Sequence, residues 1–124
     1  MNTGRERRKE SMGTNYYAHY DCCTECGRAR EVRHIGKASA GWTFTFRGYR
    51  DVSPPILSEK DWRRELSGEN VIIRDEYGEE ATVSEFWGMV EQKRKAVHNH
   101  ASEYPAENTL LDVEGNGFIC GEFS

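Results

Sequence analysis

Between two runs of strand character, Asn15 to Tyr20 and Arg30 to Ile35, the chain carries Cys23-Thr24-Glu25-Cys26-Gly27. No other feature constrains the fold as strongly. Cys-x-x-Cys-Gly has the spacing of a zinc knuckle, in which a tight turn aims two thiolates at one ion and the glycine lets backbone N–H groups approach the sulfurs. A structural zinc takes four ligands, so the motif predicts two further side chains within reach. The array His19-x3-Cys23-x2-Cys26-x7-His34 supplies them if the flanking runs pair as a hairpin. Cys22, Cys120, His98 and His100 are alternatives to His19 as the fourth ligand.

Two other readings of the pair compete with zinc, a redox dithiol and plain reduced thiols. A redox Cys-x-x-Cys usually opens a helix after a strand, whereas Gly27 and its strand-like neighbours suggest a turn. A site closed by four protein ligands stabilises the fold and leaves no position for a catalytic water. With three ligands, hydrolysis would be conceivable, with Glu25 or Glu31 as the nearest general base.

A staple suits this composition. The 124 residues are 36% apolar and 31% charged, which describes one small domain with little material for a core. The longest apolar runs, such as Val71-Ile72-Ile73, are far too short to span a membrane or to serve as a secretory signal. A soluble, cytoplasmic protein is therefore expected. Residues 1–11 hold no aromatic or branched aliphatic side chain and read as a disordered lead-in, leaving 12–124 as a single domain. Met12 is the expected natural start of translation. The net charge is −4, and because residues 1–11 carry an excess of two positive charges, residues 12–124 stand at −6. An acidic body disfavours nucleic-acid binding, which relies on Lys and Arg to displace counterions. A local basic patch from Arg28, Arg30, Arg33, Lys37, Arg47 and Arg50 remains compatible with the sequence.

The predicted fold class is α+β, a small antiparallel sheet with two helices and a zinc-knuckle hairpin near the N-terminus. In the first strand, alternation sends Tyr17 and His19 to one face and Tyr16, Ala18 and Tyr20 to the other. Trp42, Phe44 and Phe46 alternate with Thr43, Thr45 and Arg47 as a half-buried core strand. After Pro54-Pro55, Ser58 and Asp61 mark a helix start, with Trp62 and Leu66 on one face and an end by Gly68. A strand over Val71–Arg74 leads into an Asp75-Glu76-Tyr77-Gly78 turn, and a second helix is expected from Ser84 to about Val97. Leu110–Val113 and Phe118–Cys120 read as a closing hairpin. Tyr16, Tyr20, Tyr49 and Trp62 are expected to be partly exposed and to form an interaction patch.

Gly36-Lys37-Ala38-Ser39-Ala40-Gly41-Trp42 invites comparison with a phosphate loop, but Lys37 precedes the second glycine and an aromatic strand follows. A tight turn between strands fits better. The alternative is an anion, ligand or partner contact built from Lys37, Ser39, Trp42 and Arg47. His98-Asn99-His100 lacks the spacing of a nuclease signature and suits a helix C-terminus.

Met12-Gly13-Thr14-Asn15-Tyr16-Tyr17, Cys23-x-x-Cys26-Gly27-Arg28, His34-Ile35-Gly36-Lys37-Ala38-Ser39-Ala40-Gly41-Trp42 and Asp75-Glu76-Tyr77-Gly78 together resemble a family of small uncharacterised bacteriophage, prophage and bacterial proteins. The resemblance covers residues 12–124, departs slightly at Ala38, and implies a phage setting and a bacterial cytoplasm. The resulting expectation is a non-catalytic zinc-binding protein that engages a host or phage macromolecule. The competing expectation is a small zinc-dependent or ligand-binding enzyme centred on the turn from Lys37 to Trp42.

Overall fold

The computed structural model describes residues 13–38, 43–93, 109–111 and 116–120. Strands β1 (Thr14–Tyr20) and β2 (Glu31–Ala38) form the expected antiparallel hairpin, which pairs Tyr17 with His34 and His19 with Val32. The register shifts between Tyr16 and Tyr17, so Ile35 has no residue opposite it. Alternation sends His34 to one side of the sheet and Ile35, fully buried, to the other, and the extra residue lets Gly36, opposite Tyr16, share the side of Ile35. β3 (Thr45–Arg47) follows on the outer side of β2, and β4 (Val71–Asp75) pairs antiparallel with β1. β5 (Glu80–Ala81), β6 (Thr109–Leu111) and β7 (Gly117–Ile119) bring the sheet to seven strands among the described residues, in the order β5-β4-β1-β2-β3-β7-β6.

The sheet is mixed, not purely antiparallel as the sequence suggested, because β7 pairs parallel to β3. A parallel pair needs a long crossover. The chain makes one by running through both helices and the β4–β5 hairpin before it returns to the β3 edge.

Helix α1 (Glu59–Leu66) begins where Ser58 and Asp61 predict. The Ser58 hydroxyl accepts from the Asp61 N–H at 3.1 Å, and the Asp61 carboxylate accepts from the Leu57 N–H at 2.9 Å. Helix α2 (Val83–Lys93) starts one residue before the expected position. Thr82 and Glu85 close a reciprocal capping box at 3.0 Å in each direction. The stretch beyond Lys93, including the expected helix end and His98 and His100, lies outside the described residues, as do Ser39 and Trp42.

The two helices among the described residues pack on one face of the sheet. Trp62 and Leu66 from α1 and Phe86, Trp87 and Val90 from α2 join Ala18, Ile35, Phe44, Phe46, Ile73 and Phe118 in a single core. Aromatic edges lock it: Phe44 meets Phe46 and Phe86 with centroids 4.7 and 5.4 Å apart, and Phe46 stacks on Phe118 at 4.9 Å. Trp62 is 0% exposed, which removes it from the expected interaction patch. Its place on the helix face shared with Leu66 carries it into the core, and its indole N–H donates to the Arg47 carbonyl at 3.0 Å. Tyr16, Tyr20 and Tyr49 are half-buried against the same core. Among the described residues no helix is long and apolar enough to cross a membrane.

Candidate metal centre and the open sheet face

The hairpin tip spans residues 21–30, and Cys23 through Arg28 are exposed. Asp21 takes a positive φ of 53°, and its N–H donates to the Asn70 carbonyl at 2.8 Å, tying the tip to the start of β4. Within the tip, the Cys23 N–H donates to the Arg28 carbonyl and the Gly27 N–H to the Cys23 carbonyl, both at 2.8 Å. Gly27 sits at φ 75°, a conformation that side-chain-bearing residues seldom adopt. The turn thereby aims the backbone N–H of Cys26, then that of Glu25, and the Cys26 thiol at the Cys23 sulfur, holding that thiol below its usual range. Two soft donors with N–H groups turned toward a sulfur suit a thiophilic ion such as zinc.

The four predicted ligands do not converge. Among the described residues no group of three or more His, Cys, Asp or Glu side chains is placed to hold a metal ion. Cys23 and Cys26 share the tip, whereas Cys22 is half-buried and Cys120 follows β7, its Sγ 2.8 Å from where a Cβ on Gly48 would lie. His19 belongs to β1, on the sheet face opposite the helices, where burial and the neighbouring Arg74 guanidinium hold it below the usual histidine range. His34 lies on the same face, two residue pairs further from the tip.

His34 is committed to a different network. Its Nε2 lies 2.8 Å from Asn15 Oδ1, and its ring packs against Tyr17 with centroids 5.1 Å apart. The Asn15 amide in turn donates to Glu76 Oε1 at 3.0 Å, and the Asn15 backbone N–H donates to the same oxygen at 2.7 Å. Glu76 is brought there by the β4–β5 turn, where Asp75 Oδ1 accepts from the N–H groups of Tyr77 and Glu79 at 2.9 and 3.0 Å and Gly78 adopts φ 87°. Burial first, and the Arg47 guanidinium second, push His34 down to about 4, so it is neutral at pH 7.

The face opposite the helices also opens into a shallow groove of about 580 Å³ bordered by Tyr17, His19, Val32, Arg74, Glu76 and Glu80. Val32 is 49% exposed here. At the opposite end of β2 from the tip, Lys37 pairs with Asn15 and with Thr45, and Arg47 lies over the Tyr49 ring at 4.8 Å. Asn15 and Glu76 escaped sequence reasoning. Only the turn is local: Asp-Glu-Tyr-Gly sets Asp75 into its own backbone and leaves Glu76 free, while nothing in the local pattern names the strand that Glu76 reaches. Comparison with protein-family models, curated proteins and solved structures finds no match for the chain.

Proposed function

We propose that this is a small, non-catalytic zinc-binding protein of phage type, which engages a host or phage macromolecule in the bacterial cytoplasm through the open sheet face. The observation that carries the reading is the Cys23–Gly27 turn, which the Gly27 N–H closes on the Cys23 carbonyl with Gly27 at φ 75°, leaving two free thiols exposed at one tip. Zinc bound there would brace the β1–β2 hairpin, from which Tyr17, His19 and Val32 project. Exposed Val32 beside Arg74 and Glu80 offers the mixture of apolar and charged contacts that protein partners use.

Elemental analysis of the purified chain tests the metal. Zinc that disappears in Cys23→Ser supports the reading, and a metal-free, fully folded protein overturns it. The partner is tested with immobilised protein in lysate of infected cells. The expected result is one macromolecule retained by the parent chain and lost from folded Val32→Asp and Arg74→Glu variants. Equal retention by all three chains removes the open face as the contact.

A further inference from the structure

A Cys-x-x-Cys pair supplies two of the four ligands that a structural zinc takes, and among the described residues no third His, Cys, Asp or Glu is grouped with it. We propose that a second copy of the chain completes it, so that one zinc ion joins two hairpin tips through Cys23 and Cys26 of each. This deepens the zinc reading above and rests on it.

Three observations converge on this arrangement. A closed structural zinc requires four ligands at about 2.3 Å for sulfur. Here the pair sits in a continuously exposed tip, open to an approaching molecule, while His34 is tied to Asn15 on the sheet. A two-fold axis through the ion would place identical tips face to face, and two identical pairs then give a closed tetrahedron of thiolates.

Charge is the second argument. The chain carries a net −4, which opposes the approach of two copies through most surfaces. The tip is an exception, since Asp21 and Glu25 are balanced by Arg28 and Arg30, with Arg30 bound to Asp21 at 2.6 Å. Four thiolates around one divalent ion leave a residual double negative charge. Arg28 follows Gly27 directly and is exposed, so each copy carries a cation two residues from Cys26, with the exposed Glu25 on the other side of that thiol.

The third argument is preorganisation. The turn is closed by its own backbone hydrogen bonds, from Cys23 N–H to Arg28 and from Gly27 N–H to Cys23. Association therefore has little loop entropy to remove.

The test uses the full chain under reducing conditions, with mass measured by light scattering and zinc by elemental analysis on the same fractions. Half a zinc ion per chain at twice the monomer mass is expected, reverting to metal-free monomer on chelation. Cobalt substitution should give the intense near-ultraviolet absorption of a four-thiolate site. Cys26→Ser should be monomeric and metal-free, its fold checked by circular dichroism. Arg28→Glu keeps every ligand and should weaken the dimer by about tenfold, the scale of a few close unlike-charge contacts. One zinc per monomer overturns the shared site and leaves the zinc reading standing. Absence of zinc overturns both, and a dimer indifferent to chelator overturns the bridge.

Discussion

The imidazole of His34 and the side-chain amide of Asn15 meet at 2.8 Å across the β1–β2 pair, in the buried part of the open sheet face. Through Asn15 the contact extends to Glu76, so three segments distant in sequence form one hydrogen-bonded chain. Asn15 is the hinge of this arrangement, since its oxygen serves one neighbour and its nitrogen the other.

Asn15→Ala should therefore cost more than one hydrogen bond. It strands the His34 ring nitrogen in a buried position and removes a donor from Glu76, a loss of about 1–3 kcal/mol. Urea unfolding followed by fluorescence measures it. A change under about 0.5 kcal/mol, the range of an ordinary surface substitution, would show that the network adds little to stability.

His34 makes stability depend on pH in a defined direction. Its folded value of about 4 lies below the ordinary 6.5, so the unfolded chain binds the proton more readily. Its contribution is complete above pH 6.5 and is lost as pH falls toward 4, on the order of 3 kcal/mol in total. Unfolding free energies between pH 7.5 and 4 should show this decline, and His34→Gln should flatten that part of the curve.

Two glycines should respond oppositely to alanine. A Cβ on Gly36 would collide with the Thr45 carbonyl oxygen and come within 2.5 Å of the Phe44 ring, so Gly36→Ala forces β2 and β3 apart and should cost about 3 kcal/mol. Gly88 is inside α2 with nothing within 4 Å of its would-be Cβ. There, Gly88→Ala should stabilise by about 0.5–1 kcal/mol through helix propensity. Thermal melts of both variants decide the matter.

Chelation should lower stability if zinc braces the hairpin. With free zinc at 100 to 1,000 times its dissociation constant, the bound ion contributes about 2.7–4.1 kcal/mol, which stripping removes. Differential scanning calorimetry with and without chelator, repeated on Cys23→Ser, should show the drop in the parent chain alone.

Local features of this fold were readable in the sequence, and long-range ones were not. The Ser58 and Asp61 cap, the alternation of β1 and the turn glycine at position 27 are matters of neighbouring residues, and each occurs where its pattern places it. Trp62 lies in the core and not in an exposed patch, because a tryptophan on a short helix can face solvent or core and only the packing of α1 on the sheet decides. The Thr82-x-x-Glu85 capping box was legible and shifts the start of α2 ahead of Ser84. The parallel placement of β7 depends on which sheet edge is vacant once the rest has assembled. The bond from Asn15 to Glu76 bridges strands whose adjacency no local pattern encodes.

The β3–β7 pairing also sets an order of events for the growing polypeptide. Phe118 is fully buried and stacks on Phe46, yet it is made long after the β1–β2 hairpin and both helices. Until residue 119 clears the ribosome, the outer edge of β3 lacks its parallel neighbour and the Phe46 ring lacks its stacking partner. Pairings so far apart in sequence close late. A nascent chain of this protein thus exposes an unpaired strand edge carrying Phe46 during synthesis, the kind of surface that chaperones cover and that other nascent copies can capture.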